Sequence, residues 1–160
     1  MTRLMILLAA LIWAASPAYA GADAAAAAHA RGDFATAFRE WSAAAKRGDG
    51  IAQYNLGQLY RQGRGTTKDL AAALKWYLRA AEQGVVLAQR NVGMMYGLGI
   101  GTEKNDVEAY RWLSIAAALG DPQSRRTLDY LGKRMTRKQI GEAKFRAATF
   151  EPKPEKAGGE

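Results

Sequence analysis

Residues 52–87 read AQYNLGQLYRQGRGTTKDLAAALKWYLRAAEQGVVL, and residues 88–123 read AQRNVGMMYGLGIGTEKNDVEAYRWLSIAAALGDPQ. Aligned without a gap, the two stretches agree at 14 of 36 positions, where average residue usage yields about two or three. The chain therefore contains an internal repeat. The repeat also decides how the loop GRGTTK, Gly63 to Lys68, is read. Close-set glycines, hydroxyls and a lysine are the ingredients of a phosphate cradle, but that cradle needs two glycines four residues apart, followed at once by Lys and then Ser or Thr. GRGTTK lacks the spacing, and its copy GIGTEK, Gly99 to Lys104, carries Glu103 where Thr67 stood. A carboxylate repels phosphate, so the recurring loop reads as architecture.

Each unit reads as two helices. In the second helix Leu70, Ala73, Leu74, Tyr77, Ala80 and Ala81 form an apolar stripe at helical period, with Lys75, Arg79 and Glu82 facing away. Gly84 stops it. The first helix sets Ala52, Leu56 and Tyr60 on one stripe and ends at Gly63, which suits a left-handed position after the helix. Gly57 and Gly93 fall inside helices, where glycine costs about 1 kcal/mol relative to alanine. Close approach of the two helices is the expected compensation, and Gln53 and Gln89 read as exposed polar positions beside them. Asp69 and Asn105 stand where helices begin and read as caps, with Glu108 placed to complete a capping box after Asn105.

The repeat extends in degenerate form to both sides. Phe38, Ala44, Ala45 and Gly48 occupy the positions of Leu74, Ala80, Ala81 and Gly84, so a hairpin over 21–50 precedes the repeats 52–87 and 88–123. LGDPQ marks the next turn, with Gly120 ending a helix, Asp121 capping another and Pro122 at its first position. In MTRKQI, Thr136 and Gln139 form a capping box, flanked by Met135 and Ile140 as a hydrophobic staple. Basic capping helices are thus expected over 124–148. The remainder, 149–160, reads TFEPKPEKAGGE, a polar Pro/Gly-rich stretch expected to be a disordered tail.

With its A-x-x-x-L-G-x-x-Y-x-x-G-x-G start and W-Y-x-x-A-A-x-x-G finish, the segment from Ala52 to Gly84 closely resembles the Sel-one-like repeat, a relative of the tetratricopeptide repeat. The resemblance runs from Phe34 to about Ala148. It implies an all-α fold, a right-handed α-solenoid of stacked helix-turn-helix hairpins, and a family that mainly scaffolds protein–protein contacts. The chain departs from the pattern at Val85-Val86, where a polar turn is usual, and at Arg137-Lys138, early in the last helix.

Arg3, the twelve-residue apolar run Leu4–Ala15 and the Ala18-Tyr19-Ala20 site have the form of a secretory signal over residues 1–20. The run is too short for the roughly 20 residues of a membrane-spanning helix. Without cysteine, neither a lipid attachment nor a disulfide is available, and the expected location is periplasmic or secreted. The remaining chain carries 22 basic against 15 acidic residues, a net +7. Eight of those cations fall between Ser124 and Ala148 against Asp129 and Glu142, leaving +6 on that segment. Arg137 and Lys138 sit in the first helical turn, where the dipole favours acids. They suit either a solvated solenoid end or an anionic partner.

Chemistry is sparse. A hydrolytic or metal site needs a cluster of His, Cys, Asp and Glu, and the chain has one histidine, His29, in an alanine run. Cysteine-rich relatives of the repeat have been linked to β-lactams, but they depend on disulfides absent here. The sequence thus points to a non-catalytic adaptor without cofactor or small-molecule substrate. The alternative is a basic binder of anionic envelope polymers or membrane surfaces, and a hydrolase stands third.

In helical-hairpin solenoids the first helices line the concave surface. The free stripe there is Ile51, Tyr54, Gln58 and Arg61, then Leu87, Arg90, Met94 and Gly97, then Gln123, Arg126, Tyr130 and Lys133, with Arg134 beside the last. The expected partner is another exported or envelope protein, held by an acidic segment at Tyr54, Gln58, Arg61, Arg90, Met94, Arg126, Tyr130 and Arg134. Tyr54, Arg90, Arg126 and Tyr130 are its expected anchors. Export itself is checked by intact mass: the mature chain is expected to begin at Gly21, and a retained Met1–Ala20 segment would identify an anchor instead.

Overall fold

In a computed structural model of the chain, residues 17–155 are described, with side chains from residue 23. The signal-peptide reading lies outside them up to residue 16. The described residues form eight helices: α1 (Pro17–Ala30), α2 (Phe34–Lys46), α3 (Gly50–Gln62), α4 (Leu70–Glu82), α5 (Val86–Leu98), α6 (Asp106–Ala118), α7 (Pro122–Gly132) and α8 (Arg137–Ala148).

The ends of these helices follow from local chemistry. Asp49, Asp69, Asn105 and Asp121 each accept an N–H from the residue three positions on, at 2.8–3.0 Å, satisfying donors that a helix start leaves free. The box at Thr136 and Gln139 is complete. The one expected after Asn105 is half made. Glu108 gives its N–H to Asn105, but its carboxylate turns to Arg111 and Arg146, because a full charge on a guanidinium outweighs a bond to one neutral N–H. At Val85 the helix start has no side-chain cap. Gly63 and Gly99 close α3 and α5 at φ 69° and 67°, as their spacing predicts. The structural units therefore begin at Gly50 and Val86, two residues before the boundaries read from the repeat.

Each hairpin packs a first helix on a second, α1 on α2, α3 on α4 and α5 on α6, and each second helix also packs on the next first helix. The result is an α-solenoid. Alanines at full burial bring the helices together in all three hairpins, and larger side chains such as Trp41, Leu56, Tyr77, Trp112 and Leu113 fill the space between them. A fully buried large apolar side chain contributes about 1.5–3 kcal/mol, an alanine much less, so these few carry most of the hydrophobic stabilisation.

The mid-helix glycines are contact points. A Cβ on Gly57 would lie 2.8 Å from the Tyr77 ring and 3.2 Å from the Ala73 carbonyl. One on Gly93 would lie 2.7 Å from Leu113 and 3.1 Å from the Ala109 carbonyl. The loop glycines Gly65 and Gly101, at φ 71°, press against the previous unit, where an added Cβ would come 2.1 Å from the Phe34 carbonyl and 2.3 Å from that of Leu70. GRGTTK and GIGTEK thus abut the first residue of the preceding second helix.

Gln53 and Gln89 are fully buried, against the exposed positions expected for them. Each amide crosses the turn to the preceding helix, Gln53 donating to the Ala45 carbonyl at 3.1 Å and Gln89 to Ala81 at 3.2 Å. A polar side chain is tolerated there because the last carbonyls of a helix lack intrahelical donors.

The C-terminal end breaks the pattern. Helix α8 packs along α6 instead of forming a regular hairpin with α7, with Ala143 fully buried and Arg146 paired to Glu108. Beyond it, Thr149–Glu155 does not follow the expected disorder. Phe150 packs on Trp112, Lys153 bonds to the end of α4 and Glu155 pairs with Arg79. An aromatic anchor and an opposite charge offset the ordering of that segment. Residues 156–160 lie outside the described part.

Gly57→Leu and Gly93→Leu are expected to lower stability by about 1–3 kcal/mol or more through overpacking, whereas Lys75→Leu on the exposed side of α4 changes it little. Chemical denaturation of the three variants checks this, and equal midpoints would remove the close-contact account.

Candidate functional site

The concave stripe read from the sequence is resolved into parts that behave differently. A groove of about 490 Å³ runs between α3, α5 and the start of α7. Arg61 stands at one side and Gln123 at another, with Arg90 and Met94 along α5, and Leu98 and Ile100 supply an apolar end. Arg61, Arg90 and Met94 are thus brought together as expected. Arg126 and Tyr130 lie further along α7 and Arg134 just past its end, and only Gln123 of that helix lines the groove.

Tyr54 and Gln58 act as its backing. Gln58 is the hub: its amide N–H donates to the Tyr54 hydroxyl at 3.0 Å, and its Oε1 accepts from the Tyr77 hydroxyl at 2.6 Å and from Arg61 Nε at 3.1 Å. The Tyr54 and Tyr77 rings are 5.8 Å apart, centroid to centroid. Tyr54 is therefore half-buried and engaged, and the network fixes Arg61 at the rim. Burial pushes the Tyr77 phenol up to about 12, so it remains a hydrogen-bond donor at neutral pH.

Arg90 is also committed. Its Nη1 donates to Asp121 Oδ1 at 3.0 Å, while the other oxygen of that buried carboxylate accepts the Ser124 N–H at 2.8 Å. Burial alone would raise the Asp121 carboxyl. The Ser124 bonds and the Arg90 guanidinium outweigh it and hold the group below the usual carboxylate range. Arg90 thus ties α5 to the cap of α7 and does not stand free above Arg126, which bonds to Gln123 at 3.0 Å. The sequence register aligns the two arginines; it gives no sign that a nearby capping aspartate takes one of them.

The +6 segment is mostly open. Arg146 pairs with Glu108 and lies 3.8 Å from Glu142. Among the described residues Arg125, Arg126, Lys133, Arg134, Arg137, Lys138 and Lys144 are exposed and make no ion pair. Two aromatics stand among them, Tyr130 at 64% exposure and Phe145 at 70%, and the Arg134 guanidinium lies 5.7 Å from the Tyr130 ring centroid. His29 is half-buried between Phe34 and Trp41, with ring centroids 5.3 and 5.4 Å away. Among the described residues no group of three or more His, Cys, Asp or Glu is placed to hold a metal ion.

Tyr77, Asn91 and Ile100 line the groove without having been singled out beforehand. Tyr77 sits on the core stripe of α4, and nothing in its spacing marks the hydroxyl that reaches the other side.

Comparison with known proteins follows from this geometry. The Sel1 repeat model matches residues 50–85 and 86–121, the two units that begin at Gly50 and Val86. The chain is similar to the Sel1 repeat protein from Oxalobacter formigenes, with 34% identity and a TM-score of 0.65 over 71% of this chain and 88% of that one. It is also similar to a protective antigen present in uropathogenic Escherichia coli strains that displays an SLR fold, with 30% identity and a TM-score of 0.77 over 83% of this chain. It spans 29% of that antigen's length. No curated protein sequence matches.

Tyr77 gives a pH test. Its phenol is neutral in the fold and its value is raised from 10.0 to about 12, so its contribution is full below pH 10 and lost as pH climbs through 12. Tyr77→Phe is expected to flatten the fall in stability across that window. At neutral pH it costs about 1 kcal/mol for the lost bond to Gln58. Denaturant midpoints measured against pH check both.

Proposed function

The chain belongs to the Sel1 repeat family, and on that premise we propose that it is an exported, non-catalytic adaptor whose concave groove holds an acidic segment of another exported or envelope protein. Sel1 repeats generally mediate protein–protein contacts. The observation that carries the finer reading is the composition of the groove: Arg61 and Arg90 beside the apolar Met94, Met95, Leu98 and Ile100, with no carboxylate among its lining residues and Asp121 already paired with Arg90. A segment entering it meets Arg61, whose bond to Gln58 sets its position in advance. It also meets the exposed Arg126 and Tyr130 as it leaves along α7. Arginine and tyrosine are the side chains that most often dominate binding when desolvated. Export rests on the form of residues 1–20.

One observation favours a second reading, a binder of anionic envelope polymers or membrane surfaces. Arg137 and Lys138 occupy the first turn of α8, exposed and without acidic partners among the described residues, at the helix end whose dipole disfavours them. Local stability does not account for that choice.

Mature chain immobilised in periplasmic extract at two salt concentrations separates the readings. The adaptor retains one dominant partner at both, and replacing Arg61 and Arg126 together with alanine weakens its capture tenfold or more, about 1 kcal/mol or more for each anchor. Arg90→Ala is unsuitable for the purpose, since breaking the pair to Asp121 costs about 1–3 kcal/mol of stability. Loss of every bound species at high salt, with sensitivity to Arg137 and Lys138 alone, would replace the adaptor with the polyanion binder.

A further inference from the structure

The segment Phe150-Glu151-Pro152-Lys153-Pro154-Glu155 runs from the middle of α6 past the end of α4 to the turn before α3, and forms one wall of a surface depression of about 670 Å³. The Phe150 ring meets Trp112 edge to face, with centroids 5.5 Å apart. Pro152 and Pro154 have no N–H, which leaves Lys153 and Glu155 as the amide donors in the last four residues. Both are used, Lys153 donating to the Glu82 carbonyl at 2.9 Å and Glu155 to Gln83 Oε1 at 3.4 Å. The Glu155 carboxylate pairs with Arg79 and accepts an N–H from the Gln53 amide.

The receiving groups are held by bonds that do not involve the segment. Gln53 is fully buried, donating to the Ala45 carbonyl and accepting from Gln83 Nε2 at 2.8 Å, so its other N–H is left for a carboxylate. The Arg79 guanidinium lies 4.8 Å from the Trp76 ring centroid, which restricts a side chain that would otherwise be free to turn. The Glu82 carbonyl belongs to the last turn of α4, where helix carbonyls lack intrahelical donors. The hydrogen bonds from Arg79 hold the Glu155 carboxyl below its usual range, against the opposing effect of burial.

The second unit has no such seat. One period on, Gln89 repeats Gln53, but Ile115 and Leu119 stand in place of Arg79 and Gln83. A feature needed only to stack hairpins would recur with the repeat; this one does not. Nor does it share a lining residue with the concave groove, so it is a second surface, independent of the reading given for that groove.

The geometry points to a binding site for an extended acidic segment of a partner protein, with prolines on alternate residues and a glutamate side chain in the Arg79–Gln53–Gln83 seat, which Phe150–Glu155 fills as an intramolecular stand-in. Alternating prolines hold such a segment extended before it binds, so little chain entropy is lost on docking. The stand-in is built to be displaced. Arg79 and Glu155 keep 27% and 26% of their side-chain surface in solvent, so water can reach the pair as it opens. A covalently attached peptide present at roughly millimolar effective concentration fills a site without tight contacts. A partner displaces it by exceeding that concentration advantage.

The test uses the intact chain and a labelled peptide of the sequence Phe150–Glu155, read by fluorescence anisotropy. Phe150→Ala together with Glu155→Lys, which removes the aromatic anchor and sets a like charge against Arg79, is expected to raise peptide affinity at least tenfold over the unaltered chain. Adding Arg79→Ala abolishes that gain, and adding Arg61→Ala in the groove leaves it unchanged. The proposal is overturned if the released chain binds peptide no better, if Arg61→Ala removes the binding, or if the gain survives Arg79→Ala. It is equally overturned if the released chain melts more than ten degrees lower, which would make the segment a clasp of the fold, or if the unaltered chain forms dimers by exchanging tails.

Discussion

The distance between the two helices of a hairpin is set where a glycine of the first touches the second. At Gly57 and Gly93 the backbone meets the side chains of Tyr77 and Leu113 and the carbonyls of Ala73 and Ala109 with no space for a methyl group. Much else follows from that closeness. Helices this near can bury alanine usefully, so the stripes of small residues become a core. Tyr77 can lie across the hairpin with its hydroxyl on Gln58, behind the groove. A wider hairpin would leave that phenol without its partner and Arg61 without the amide that positions it. The form of the groove is therefore a consequence of backbone contact inside the hairpin, although neither glycine lines it.

The elements were legible in the sequence because they rest on short-range rules. Caps at Asp69, Asn105 and Asp121, stops at Gly63 and Gly99 and the box at Thr136 are each decided within a few residues. The groove was half legible. Period gave the stripe, and Arg61, Arg90 and Met94 do line one depression. What period cannot give is which polar groups are already engaged. Arg90 is held by Asp121 across a helix boundary, and Gln53 and Gln89 are buried by carbonyls of a preceding helix eight residues back. A polar residue identical in two repeats reads as surface when only its own helix is considered. The tail was illegible for a related reason: its composition favours disorder, and only the positions of Trp112, Arg79 and Gln53 offer it contacts.

The charges divide into two populations. Arg79, Arg90 and Arg146 pair with carboxylates of segments distant in sequence, whereas Arg111 pairs with Glu108 of its own helix. The other exposed cations between Ser124 and Ala148 make no ion pair among the described residues. Pairs of the first kind tie α4 to the tail, α5 to α7 and α8 to α6, which gives a modular stack ties beyond its nearest-neighbour packing. Arg90 is the clearest case, since the contact that engages its guanidinium at the groove also ties α7 to α5.

A stack of hairpins is in principle open at both ends, and each exposed end is a template for one more unit. Helix α8 closes one of them. By lying along α6, with Ala143 buried and Arg146 on Glu108, it covers the ledge on which a following hairpin, or the first hairpin of another molecule, would seat. The chain thus carries its own terminator: growth into a fibre from that end would first require α8 to be prised from α6.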